Sequence, residues 1–208
     1  LFAMPWYLWV GTLVVCTGII NAYNFMDGIN GITGGYSLVI AGALWYVNEK
    51  IVSFADEKLI IILILSLLVF NFFNFRKKAK CFAGDVGATS VAFILIFLIG
   101  QLIIKTGDFS YLILLTVYGV DAVLTIIHRI RLKEPLMEAH RKHMYQIMAN
   151  ELKIPHIVVS LIYMAVQAVI IGGYFLASNH YLYFAAVIVV LMVVYLTFMK
   201  KYFHLHKA

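Results

Sequence analysis

Residues 88–104 read ATSVAFILIFLIGQLII, a run without a charge whose only amide is Gln101. At 1.5 Å per residue, about 17–25 such residues cross a hydrocarbon core about 30 Å thick. Comparable runs occupy residues 5–23, 32–47, 59–75, 109–127, 157–176 and 181–199. The second opens with Gly34, Gly35 and Ser37, small residues that suit close helix packing. The composition agrees: 63% of the 208 residues are hydrophobic and 12% are charged, with a mean hydropathy of +0.95. Soluble domains are nearer half apolar and a quarter charged, so a water-soluble globule, a disordered chain, collagen and a coiled coil are all excluded. The sequence predicts an all-α, polytopic transmembrane bundle of about seven spans, folded as one domain over residues 1–208.

The formal net charge of +6 is informative through its distribution. Arg76, Lys77, Lys78, Lys80, Arg129, Arg131, Lys133, Arg141, Lys142, Lys153, Lys200, Lys201 and Lys207 fall after the first, third, fifth and last spans. Only Lys50, Lys58 and Lys105 fall in the alternate gaps. Cations confined to loops point to a lipid bilayer as partner and exclude a nucleic acid. The positive-inside rule places the first set in the cytoplasm, the N-terminus outside and the C-terminus inside. Cys16 and Cys81 are too few and too far apart to make a metal cluster or a disulfide framework.

Three polar segments share that cytoplasmic side. In the first, Asn21, Asn24 and Asp27 recur every third residue before Gly28 and Gly31. That spacing forms a drifting stripe at a helix end. A helix cap explains one or two of these side chains, not all of them. In the second, Arg76, Lys77, Lys78 and Lys80 precede Asp85, which Gly84 and Gly87 bracket at the start of a membrane helix. Helix capping and membrane anchoring are the plain explanations. A carboxylate beside cations also suits an anionic substrate carrying magnesium, which binds through one or two carboxylates and phosphate oxygens. The third runs from His128 and Arg129 to His140, Arg141, Lys142 and His143. The two later histidines would share one helix face. Phosphate recognition suits this mixture better than zinc, and an amphipathic helix on anionic lipid suits it equally. Asp121 lies within the fifth span, about 9 Å from its cytoplasmic end at 1.5 Å per residue. An intramembrane acid of this kind marks a functional position by default. Gln101 and Gln167 are expected to bond to neighbouring helices.

Taken in order, these strings resemble the polyprenyl-phosphate N-acetylhexosamine-1-phosphate transferases (glycosyltransferase family 4). The strings are Asn21-x-x-Asn24-x-x-Asp27-Gly28-x-x-Gly31, Ala79-Lys80-x-Phe82-x-Gly84-Asp85-x-Gly87, His128-Arg129 and His140-x-x-His143. The resemblance implies transfer of a sugar-1-phosphate, in the first instance GlcNAc-1-phosphate, from a UDP-sugar to undecaprenyl phosphate. UMP is released, and a lipid-linked glycan begins on the cytoplasmic face of a bacterial inner membrane. It implies magnesium as cofactor, with manganese as a substitute. Asp85 becomes the principal metal ligand with Asn24 assisting, and Asp27, Asp85 and His140 become the catalytic set. Asn21, Asn24, Lys80, Arg129, Arg141 and His143 become substrate contacts. A second copy of the chain is a further conceivable partner, as a homodimer.

Two departures qualify the likeness. The histidine motif is sparser than in many members, which leaves the sugar open. The family's upstream Asp-Asp pair has no counterpart, since Asp56-Glu57 lies in a loop assigned to the other side. The resemblance therefore implies a C-terminal part of a transferase, beginning at Leu1 without its first helices and inactive alone. It also implies that Asn21 and Asp121 lack partners. The competing functions are phospho-MurNAc-pentapeptide transfer, an ion-coupled transporter relaying protons through Asp121, and a non-catalytic remnant.

Overall fold

The computed structural model describes residues 5–135 and 141–205. Its long helices are α1 (Trp6–Met26), α2 (Ile32–Lys50), α3 (Glu57–Asn74), α4 (Gly84–Thr106) and α5 (Thr116–Arg131). After a single turn, α6 (Met144–Gln146), come α7 (His156–Leu176) and α8 (His180–Tyr202). There is no strand among the described residues. Six segments are long and apolar enough to cross a membrane: Trp9–Met26, Glu57–Asn74, Gly84–Thr106, Phe109–Arg131, His156–Leu176 and His180–Leu205.

The helix α2 is not among those six. It has membrane length, about 28 Å at 1.5 Å per residue, yet carries Thr33, Ser37, Tyr36 and Asn48. These are buried, because α2 runs through the middle of the bundle against α3, α4 and α7. A helix enclosed by protein need not present a lipid-like surface, so its hydropathy falls while its burial rises. Close approach comes from its small residues. A Cβ on Gly34 would lie 2.6 Å from the Asn71 side-chain oxygen, and one on Gly35 would lie 2.4 Å from the Met164 sulfur.

The span expected at 109–127 is not one continuous α-helix. Phe109–Leu115 forms a 3-10 turn, and α5 begins only at Thr116. At the junction, Gln167 enters from α7. Its amide nitrogen donates to the Ile113 carbonyl (3.0 Å), while its oxygen accepts from the Val117 amide (3.3 Å). The side chain thus takes both groups that an i→i−4 bond would have joined, a recognised cause of helix interruption. The same oxygen accepts the Tyr36 hydroxyl at 2.7 Å. The Tyr36 ring stacks on Tyr118 with centroids 3.7 Å apart, and the Tyr118 hydroxyl donates to the Ile32 carbonyl at 2.8 Å. A ladder of polar aromatic contacts therefore joins α2, α5 and α7.

In a membrane bundle a side-chain hydrogen bond contributes about 0.6–1.7 kcal/mol. Gln167→Leu removes three at once and is expected to lower unfolding free energy by about 2 kcal/mol. Gln101→Leu, at a half-buried position on α4, should change it little. Denaturation in mixed micelles compares the two.

Candidate active site at one end of the bundle

Three loops meet where α1, α3 and α5 end and α2, α4 and α7 begin, and side chains bind them to one another. Asn30, in the α1–α2 turn, donates to the carbonyls of Arg76 (2.9 Å) and Lys77 (3.4 Å). The Gly31 amide donates to the Asn74 side chain at 2.7 Å, and Asn74 donates in turn to the Cys81 carbonyl at 2.8 Å. From α7, the Ser160 hydroxyl donates to the Asn30 carbonyl at 2.8 Å. From the third loop, the Tyr145 hydroxyl donates to the Phe25 carbonyl at 2.9 Å. Its ring lies over Gly28 so closely that a Cβ there would be 2.2 Å from the hydroxyl oxygen. The three polar segments thus lie at one end of the molecule, with Asp56 capping α3 at the other.

Two carboxylates lie within electrostatic reach at this end. Asp27 follows the last turn of α1, half-buried, with its amide donating to the Asn24 carbonyl at 3.2 Å. The Thr33 hydroxyl donates to its carboxylate at 2.7 Å. Asp85 is exposed in the first turn of α4, where the helix dipole favours an acid. Burial raises the Asp27 carboxyl above its ordinary pKa. The Thr33 hydroxyl and the Gly84 amide offset that rise in part, and the neighbouring Asp85 charge adds to it. A pair of acids held together in this way is relieved by a cation. Among the described residues no group of three His, Cys, Asp or Glu could hold a metal by itself. The pair fits magnesium, which takes one or two carboxylates and completes its shell with phosphate oxygens and water.

Of the other expected contacts, Asn24 is half-exposed, while Asn21, Lys80 and Arg141 are exposed. His140 lies outside the described residues. Arg129 and His143 have a different setting from the expected substrate contacts, because both are buried, at 3% and 1% exposure. Arg129 pairs with Glu134 at 3.4 Å and donates to the Pro135 carbonyl. Glu134 also accepts from Lys142, and this contact holds its carboxyl below the usual range. His143 does not sit on the helix face expected for it. Its backbone is extended (φ −65°, ψ 148°), and it caps α6. Its Nδ1 lies 3.3 Å from Asp121.

Asp121, expected to be without partners, has five. Besides His143, its carboxylate accepts from the amides of Met144 (3.0 Å) and Tyr145 (3.4 Å). It also accepts from the hydroxyls of Tyr163 (2.6 Å) and Thr125 (3.2 Å). Tyr145 and Thr33 are site neighbours that sequence reasoning missed. Neither carries a local signal, since each matters through a contact distant in the chain or set by a turn.

The family model described as Glycosyl transferase family 4 matches residues 1–103. A probable undecaprenyl-phosphate N-acetylglucosaminyl 1-phosphate transferase of Bacillus subtilis is 29% identical over 153 residues, 69% of this chain and 41% of that protein. A phospho-N-acetylmuramoyl-pentapeptide-transferase of Thermotoga maritima is 31% identical over 59% of this chain and 38% of its own length. An undecaprenyl-phosphate alpha-N-acetylglucosaminyl 1-phosphate transferase of Yersinia pestis is 31% identical over 47% of this chain and 29% of its own. The chain belongs to glycosyl transferase family 4. It spans about two fifths, or less, of the length of these three family members. No solved structure gives a significant match.

For this family member the carboxylate pair has a consequence for stability. Folding raises the Asp27 pKa, so its charged form opposes folding at neutral pH. That penalty is absent below the ordinary carboxylate pKa, about 3.9. Asp27→Asn is therefore expected to raise the melting temperature at pH 7.5 in the presence of a chelator. The increment should shrink as pH falls and vanish below about pH 4. Thermal unfolding in detergent across that range measures it, and a destabilised mutant at pH 7.5 contradicts it.

Proposed function

We propose that the complete protein transfers a sugar-1-phosphate, with GlcNAc-1-phosphate the favoured group, from a UDP-sugar to undecaprenyl phosphate. UMP is released, and a lipid-linked cell-envelope glycan begins. The observation that carries this reading is the juxtaposition of Asp27 and Asp85 at an end of an apolar bundle that also bears Lys80 and Arg141. The names of the curated relatives support it. The concentration of cations in the loops at this end supports a cytoplasmic active face in a bacterial inner membrane.

In the proposed reaction an oxygen of the lipid phosphate attacks the sugar-bearing phosphorus of the donor. A new P–O bond forms, the bond to the bridging oxygen breaks, and UMP departs with that oxygen. Such a transfer consists mainly of positioning and neutralisation of charge on phosphate oxygens. Lys80 and Arg141, with His140, supply cationic or hydrogen-bonding contacts to the pyrophosphate and sugar, and Asn21 and Asn24 supply neutral ones. Arg129 and His143 act from beneath, by holding the loop that carries Arg141. Asp85 and Asp27, with Asn24, would hold a magnesium ion, or manganese in its place, which neutralises pyrophosphate charge when bound. The apolar outer surface lets the lipid reach the same end from within the bilayer.

The second reading is phospho-MurNAc-pentapeptide transfer, favoured by the Thermotoga relative. Both readings predict that Asp85→Asn in the complete protein cuts turnover about 100-fold or more, without loss of fold. UMP release separates them: the first expects turnover with UDP-GlcNAc, the second only with UDP-MurNAc-pentapeptide. Unaltered turnover in Asp85→Asn would reduce Asp85 to a helix cap and contradict both.

A further inference from the structure

Five donors converge on one buried carboxylate, and they come from three parts of the chain. Asp121, itself on α5 and 3% exposed, receives Thr125 from its own helix, Tyr163 from α7, and His143, Met144 and Tyr145 from the third loop. Met144 and Tyr145 are the first residues of α6, so their amides have no partner within that turn. A carboxylate from another helix satisfies them. The same turn carries Tyr145 onto Gly28 and the Phe25 carbonyl, directly beside Asp27. Only an acceptor-only group fits this place. An amide would turn its NH2 toward at least one N–H or O–H donor.

We propose that Asp121 is a positioning residue. It fixes the 143–145 turn, and with it the segment bearing Arg141, against the end of α1 that carries Asp27, and so sets how tightly the donor's pyrophosphate is held. The proton-relay alternative has no support in this geometry, because every contact named above points a donor at the carboxylate. The role in catalysis rests on the transferase reading, while the mechanical coupling does not.

The test uses the complete protein in detergent with Asp121→Asn, Tyr163→Phe and Thr125→Val, read by amide exchange, melting temperature and steady-state kinetics. In Asp121→Asn, exchange at Met144 and Tyr145 is expected to accelerate about tenfold or more, while α2 stays protected. The KM for the UDP-sugar is expected to rise about tenfold, with kcat changed far less and the KM for undecaprenyl phosphate unchanged. Tyr163→Phe and Thr125→Val, which remove donors outside the loop, are expected to lower the melting temperature and leave loop exchange and donor KM unchanged. If Asp121→Asn behaves as those two do, Asp121 is only a packing residue and the proposal fails. Should Asp121→Asn not fold, Tyr145→Phe breaks the same joint at the Phe25 carbonyl. It is expected to raise the donor KM several-fold, and an unchanged KM overturns the proposal. Faster loop exchange in a protein whose wild type releases no UMP would uphold the coupling and overturn the transferase reading instead.

Discussion

Inside a bilayer no water is at hand to satisfy a stray polar group, and each one left unpaired costs several kcal/mol. This chain nonetheless threads Gln167, Tyr36, Ser37, Asp121 and Thr125 through its interior, all buried. The constraint is met by making each one serve another element. Gln167 replaces a missing helical bond in the approach to α5, Tyr36 joins α2 to α7, and Asp121 ties a loop to two helices. Removing any of these groups strands its partners, so polar satisfaction, together with apolar contact, fixes how α2, α5 and α7 sit. The apolar surfaces of α1 and α8 face outward, where side chains such as Trp9, Leu13, Leu182 and Val193 are exposed.

The same economy builds the site. The turn after α1 hangs from Asn74, Arg76 and Lys77 through Asn30 and Gly31, and it is roofed by Tyr145. Asp27 is thereby held near the exposed Asp85, in a place where burial already disfavours the Asp27 charge. That charge is costly on its own, and on the proposed reading a cation and phosphate oxygens would offset the cost. Active sites commonly carry strain of this kind, with the ground state waiting for its ligand.

Much of this was legible in the sequence. Apolar runs gave the helices, and alternating loop charge grouped the three polar segments at one end, because both signals are local. Asp27 stood out because Asn21, Asn24 and Asp27 together exceed what a cap needs, and Asp85 because cations and glycines accompany it in a string that resembles the transferases. Other features were hidden. The low hydropathy of α2 reflects enclosure by its neighbours, a property of the whole bundle. The break before Thr116 comes from a side chain about fifty residues away in the chain. Arg129 and His143 read as phosphate ligands by type, but pairing with Glu134 and Asp121 takes them inward. Asp121 was recognisable as unusual from its place in an apolar run, although its partners were not, since four of the five lie 22 to 42 residues further along the chain.

The central claim is that Asp27 and Asp85, from different helix ends, hold one divalent cation together with the donor's phosphates. Electron paramagnetic resonance of manganese bound to the complete protein, with and without UDP-GlcNAc, measures this most directly. The account predicts that the nucleotide tightens binding, that Asp27→Asn and Asp85→Asn each weaken it, and that Asp56→Asn at the opposite end leaves it unchanged. Manganese binding that survives both site substitutions intact, or that falls with Asp56→Asn, would contradict it.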